Sequence, residues 1–312
     1  MPWDGPAAKG VNLRIVSYNI QYGKGKDSRH DLARIAAGLR GADLIGLQEV
    51  TRNFPGVPNE QAQQPEMLSA LLPEFFWTFA PGLDIDGGSS IVDTRAVNRR
   101  VQFGNMLLSR WPIRSTRNLL LPRARSLDRA DMQNTVLEAI VAAPHGDVRV
   151  YVTHLNHLRS QQRRAQLDWL LPTLHAVPSQ GASVSGLSAK SGMTALPVLG
   201  VPDEFLLMGD FNLTPGQAEY DRVVGEADYF YGRQRVHGFL VDTWVAAGNR
   251  EDDGLTWFDE TKDFASGLRL DYIFTTPALA GQVRRAWIDR DNPASDHQPV
   301  WVDLETPPLN PA

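Results

Sequence analysis

The hydrophobic and polar positions of this 312-residue chain fall into two recurring patterns. In residues 11–20, Asn12, Arg14 and Val16 alternate with Leu13 and Ile15, the two-residue period of a strand. Residues 42–50 and 204–209 are apolar almost without a break, as in strands buried on both faces. The same reasoning predicts strands over 75–79, 101–108, 135–142, 148–153, 269–274, 283–288 and 300–304, with His145-Gly146-Asp147 as a hairpin turn. Helical spacing occurs at Leu32, Ile35, Ala36 and Leu39, with Asp31 near the start. It recurs over 160–174, where Leu167, Leu170, Leu171 and Leu174 share a face, and more briefly over 65–72 and 215–224. Residues 81–98, dotted with Gly, Ser and Asp, read as a long surface loop. Residues 176–203, rich in Ser, Gly, Ala and Pro, read as a flexible insertion.

Strands outnumber helices, several are joined by links of hairpin length, and neither a repeat nor an interdomain linker interrupts them. The expectation is one α+β domain over 1–312, its core at 11–304, with a two-layer β core and flanking helices.

Composition narrows the chemistry. Apolar residues at 42% and charged residues at 21% suit a globular protein with a substantial core. A net charge of -5 argues against a broadly basic nucleic-acid-binding surface, leaving room for a local patch. The absence of cysteine excludes disulfides, thiolate zinc sites and cysteine nucleophiles, so a metal would be held by oxygen and imidazole. No apolar run reaches the length of a membrane span, and the first ten residues lack the pattern of a signal peptide. A cytoplasmic monomer without a stable protein partner is the expectation; a secreted chain trimmed of its leader would read the same.

The candidate chemistry lies where the strands stop. Asn19, Glu49, His154, Asp210, Asn212, Asp271, Asp296 and His297 all stand at or just beyond apolar strand ends. Asp210 and Asn212, two apart in Gly-Asp-Phe-Asn, leave the same face if the strand geometry persists. Polar groups at the ends of core strands do little for stability. Together they suggest convergence on one acidic, imidazole-bearing cleft. Hard oxygen donors suit Mg²⁺ or Mn²⁺, and two histidines beside such a metal suit phosphoryl chemistry.

Ser-Tyr-Asn, Leu-Gln-Glu, Thr-His-Leu, Gly-Asp-Phe-Asn, Arg-Leu-Asp-Tyr-Ile and Ser-Asp-His, in that order over residues 11–304, resemble the endonuclease/exonuclease/phosphatase (DNase-I-like) superfamily. The resemblance implies a four-layer αββα sandwich of two mixed, mostly antiparallel sheets flanked by helices. It implies metal-dependent phosphoester hydrolysis by an activated water. It assigns Glu49 as principal metal ligand with Asn19 beside it, and Asp296 as a further ligand or a group behind it. Asp210 would orient or deprotonate the water, and Asn212 would position water and phosphate. His154 would donate to a phosphate oxygen, and His297, held by Asp271, would contact the scissile phosphate.

The resemblance leaves the phosphoester open among nucleic acids, lipid head groups and small molecules. Arg99, Arg100, Arg125 and Arg129 are candidate phosphate-holding residues, equally readable as a solvated face. Trp257 reads as core, His157 as structural, and Asp242 as either a cap or a rim group. Two alternatives stand beside the hydrolase reading. One is a nuclease acting on ends or single strands. The other is an inactive binding module, against which the intact polar set argues.

Overall fold

The computed structural model describes residues 11–186, 198–259 and 264–306. Twelve strands form two six-stranded sheets. The first sheet contains β1 (Val11–Asn19), β2 (Leu44–Arg52), β3 (Phe76–Asp86), β4 (Arg100–Ser109), β11 (Val283–Ile288) and β12 (Val300–Thr306). The second contains β5 (Ile113–Leu120), β6 (Thr135–Ala143), β7 (Gly146–His154), β8 (Phe205–Asp210), β9 (Val241–Asp242) and β10 (Asp271–Thr275). Their orders are β11-β12-β1-β2-β4-β3 and β9-β10-β8-β7-β6-β5. Each sheet has one parallel pair, β1 with β2 and β7 with β8; every other pairing is antiparallel.

The period of two along the strands builds four layers. On β1, Leu13 and Ile15 face the opposite sheet, and Val16 and Tyr18 face outward. On β8, Leu206 and Met208 face inward, Phe205 and Leu207 outward, which is why this run has no polar alternation. Between the sheets these residues meet Leu137, Val152 and Val302. Helices α1 (Leu32–Gly38) and α2 (Gln64–Leu71) cover the outer face of the first sheet through Leu32, Ile35 and Leu68. Helices α3 (Ser160–Gln180) and α4 (Ala218–Val224) cover the second through Leu167, Leu170, Leu174 and Tyr220. The result is an αββα sandwich. The Asp31 side chain caps α1 by accepting from the Arg34 amide at 3.0 Å.

Two expectations are corrected. Residues 81–98 are not an irregular loop. β3 continues to Asp86, and a hairpin pairing Ser90–Val92 with Arg95–Val97 joins it to β4. Its polar composition follows from solvent on both faces, which leaves no apolar period to read. The flexible segment also does not start at 176. α3 runs to Gln180, with Val177 fully buried, and the Ser183 and Ser115 hydroxyls meet at 2.7 Å. Residues 187–197 of that expected insertion lie outside the described residues.

Candidate active site

The strands bring their polar ends to one pole. β1, β2, β7 and β8 arrive by their C-termini with Asn19, Glu49, His154 and Asp210. β10 starts there, antiparallel to β8, with Asp271 opposite Asp210. Residues 295–297 lie just ahead of β12, which is antiparallel to β1.

Local backbone devices aim these groups. Glu49 sits where the β2–β4 register slips between Leu47 and Val50, with φ of 60°, a left-handed conformation that turns its carboxylate out of the regular pleat. Asn212 has φ of 51°, and its backbone N–H donates to Asp210 Oδ1 at 2.9 Å. Gly209 has φ of 153°, and a Cβ there would lie 1.9 Å from the Thr153 carbonyl oxygen. Only glycine lets β8 and β7 deliver Asp210 and His154 side by side.

The geometry is a continuous polar cluster. Asn19 Nδ2 lies 3.1 Å from Glu49 Oε1 and 3.0 Å from Asp210 Oδ2, so one amide serves carboxylates from both sheets. Asp210 Oδ2 lies 3.5 Å from His154 Nε2 and 3.8 Å from His297 Nε2. His297 Nδ1 lies 2.8 Å from Asp271 Oδ2. Asp296 accepts from Gln21 Nε2 at 2.9 Å and from Trp257 Nε1 at 3.2 Å. The Ser295 hydroxyl donates to the Asn19 carbonyl at 2.8 Å, fastening this loop to β1. Asn212 Nδ2 donates to the Leu155 carbonyl at 3.1 Å.

Burial sets the protonation states. Among the described residues, no Arg or Lys pairs with Glu49, Asp210, Asp271 or Asp296. Burial pushes the Glu49 carboxyl up to about 7, against the Asn19 hydrogen bond. Burial, with Asp271 adding to it, raises Asp210 to about 7. For His297, burial opposes the charge, yet Asp271 and Asp210 outweigh it and lift the imidazole to about 10. His154, also buried and next to His157 and His297, is lowered to about 3 and stays neutral. Its Nδ1 has no hydrogen-bond partner and lies 4.0 Å from Glu49 Oε1. One histidine is a cation and the other a neutral donor or acceptor.

The donors fit a hard divalent cation, being carboxylate oxygens with no compensating base. Among the described residues, possible ligand atoms of Asp210, Asp271 and His297 lie within 4.8 Å of one another. His297 and Asp271 are already bonded to each other, and an imidazolium offers no lone pair. Glu49, with only one amide donor on its carboxylate, is the freer ligand.

Other expected residues fall elsewhere. Arg99, Arg100, Arg125 and Arg129 are exposed, and among the described residues no hydrogen bond or ion pair joins them to the cluster. Arg100 instead pairs with Asp84 at 2.8 Å. Asp242 is buried, caps Thr243–Ala246 by accepting from the Trp244 amide, and holds Arg269 at 2.7 Å, a structural pair. Trp257 is half-buried rather than core, its ring 6.5 Å from that of His297. Gln21 escaped sequence reasoning, and Ser295 was visible there only as the first residue of Ser-Asp-His. Gln21's one signal is its place two residues after Asn19.

The model of the Endonuclease/Exonuclease/phosphatase family matches residues 16–297, and the chain belongs to this family, whose members are phosphoester hydrolases. Solved structures share the fold. An endonuclease/exonuclease/phosphatase from Beutenbergia cavernae is 23% identical, with TM-score 0.61 over 94% of this chain and 71% of that one. A mannosyl-6-phosphatase from Bacteroides thetaiotaomicron is 17% identical, with TM-score 0.60 over 94% of this chain and 100% of that one. Truncated TDP2 from Caenorhabditis elegans is 16% identical, with TM-score 0.58 over 96% and 99%. Curated protein sequences yield no significant match. Among the described residues, no helix is long and apolar enough to cross a membrane.

Proposed function

We propose that the chain is a Mg²⁺- or Mn²⁺-dependent hydrolase that cleaves a phosphoester by in-line attack of water. The observation that carries this reading is the Asn19 amide shared between Glu49 and Asp210, with both histidines converging on Asp210. Glu49, with Asn19 beside it and Asp296 behind, would hold the cation, which supplies charge neutralisation at the phosphate when bound. Asp210, poised near neutrality, takes the proton of the attacking water, and Asn212 positions water and phosphate. His297, kept charged by Asp271, donates to a phosphate oxygen and offsets the charge that grows there. Neutral His154 donates a second hydrogen bond.

The test is a panel of a phosphomonoester, bis-p-nitrophenyl phosphate, phosphoinositides, sphingomyelin and oligonucleotides, assayed with Mg²⁺, Mn²⁺ or EDTA. Turnover of at least one member with metal and none in EDTA is expected. Full activity in chelated buffer, or no turnover of any member, would refute the reading.

A further inference from the structure

Beside His154 the site has a wall of aromatic rings, and that wall bears on the group attached to the phosphate. Phe103 lies 6.2 Å from the His154 ring, Phe54 lies 5.3 Å from Phe103, and Tyr22 lies 6.0 Å from Phe54. The rings come from three separate segments: the turn after β1, the loop after β2, and β4. Phe103 is buried, while Tyr22, which also meets the His30 ring at 6.0 Å, and Phe54 are half-buried and so partly open to solvent. Tyr22 directly follows Gln21, whose Nε2 donates to Asp296 at 2.9 Å, so the wall begins beside the cluster.

The backbone is bent to build this wall. Gln21 and Tyr22 are consecutive left-handed residues, each with φ of 45°, and neither is glycine. Asn53, with φ of 48°, turns the chain immediately ahead of Phe54 and is held by donating Nδ2 to the Arg100 carbonyl at 2.8 Å. A bulky aromatic residue in this conformation is uncommon, and such strain collects at ligand-holding segments. A core-packing role would not need it, since the apolar core of the first sheet closes without Tyr22 or Phe54.

We infer that this wall receives a planar ring on the substrate, so that the phosphoester is a nucleoside phosphate rather than a sugar, lipid or inositol phosphate. Among phosphoesters, nucleotides carry such a planar group, the base. It stacks on aromatic faces whatever its sequence, and needs no basic surface to do so, consistent with the net charge of -5. The inference rests on the phosphoester reading of the same site and adds the chemical class of substrate.

The experiment compares hydrolysis-proof methylenephosphonate analogues of adenosine 5′-monophosphate and ribose 5-phosphate, titrated calorimetrically with Mg²⁺ present. The adenosine analogue is expected to bind about tenfold or more tightly, the scale of one base–aromatic stack. The ratio should fall towards one in Phe54→Ala and return in Phe54→Trp, with melting curves confirming that both variants fold. Equal affinities in the unmodified protein, no binding of either analogue, or a preference that survives Phe54→Ala would each overturn the inference. Ring-dependent binding without turnover of any phosphoester would leave it standing and sink the hydrolase reading. Turnover without a ring preference would do the reverse.

Discussion

Glu49→Gln tests the site through stability. The carboxyl group is raised from 4.5 to about 7, chiefly by burial, and no base is paired with it. A folded-state pKa above the unfolded one means that the folded protein holds the proton more tightly. Stability of the metal-free protein therefore falls as pH rises from about 4.5 to 7, and the full penalty acts above that. At 1.36 kcal/mol per pKa unit the shift corresponds to about 3 kcal/mol. The side chain keeps 18% of its surface open to solvent, which trims the figure to about 2 kcal/mol. Glutamine retains the shape and the acceptor for Asn19 while losing the charge. In EDTA at pH 8, Glu49→Gln should thus be more stable than the unmodified protein by about 2 kcal/mol, about 3 °C in Tm for a chain of this length. At pH 4 the two should coincide. Added Mg²⁺ should raise Tm at pH 8 in the unmodified protein and much less in the variant, whose activity should be lost. Thermal and urea denaturation at both pH values provide the measurement. A variant less stable at pH 8, or one shifted equally at pH 4 and 8, would show that Glu49 is not an uncompensated buried carboxylate.

Three further outcomes are expected. His297→Ala should lower turnover by about 10²–10³ or more, and Asp271→Asn by less; the double variant should be little worse than His297→Ala, because the pair acts as one unit, and losses that multiply would contradict this. Gly209→Ala should cost more than about 3 kcal/mol in urea unfolding, since its Cβ would meet the Thr153 carbonyl oxygen at 1.9 Å and backbone cannot yield cheaply. Asp242→Ala should cost about 3–5 kcal/mol by stranding the buried Arg269 guanidinium, with urea unfolding as the check; a change below about 1 kcal/mol would mean that solvent reaches that pair.

The strands were legible because both faces are buried or alternate. Residues 204–209 are apolar throughout because Phe205 and Leu207 meet the helices while Leu206 and Met208 meet the opposite sheet. The outer end of β3 and the hairpin that leads to β4 were not legible, because their strands pair in solvent and their side chains carry no period. The end of α3 was hidden by the Ser, Gly, Ala and Pro composition that sets in at residue 176, although the helix accommodates Pro172 and Pro178. At the site, the residue types at strand ends could be read, but not the bulge at Glu49 or the left-handed turns at Gln21, Tyr22 and Asn53. Those conformations are imposed by tertiary contacts and leave no composition signal in residues that are not glycine. The surroundings of the four arginines were not legible either. The sequence left them equally readable as phosphate-holding residues or as a solvated face, and did not show that Arg100 pairs along its own arm with Asp84.

The architecture explains why a site of this kind forms at this pole and not the other. In each sheet the single parallel pair ends in the same direction, and these two pairs carry Asn19 and Glu49 from one sheet and His154 and Asp210 from the other. Polar groups there must meet across the sandwich, where the inner core is otherwise apolar. The sheets are drawn together at small residues. A Cβ on Gly46 would lie 2.4 Å from Met208 Sδ, so the two central strands interlock one turn of the pleat behind the cluster. Asn105 of β4 adds a polar tie, donating Nδ2 to the Thr135 carbonyl at 2.9 Å on the facing sheet. Such a seam sets the positions of Glu49 and Asp210 by core packing, and burial there raises both carboxyl groups to about 7. The core thus holds two carboxyl groups where burial disfavours their charge, a cost that a proton or a cation relieves. That competition predicts that Mg²⁺ binding releases protons near pH 7, measurable as a buffer-dependent calorimetric enthalpy; a buffer-independent enthalpy at that pH would mean that both carboxylates were already ionised and that the seam holds them without cost.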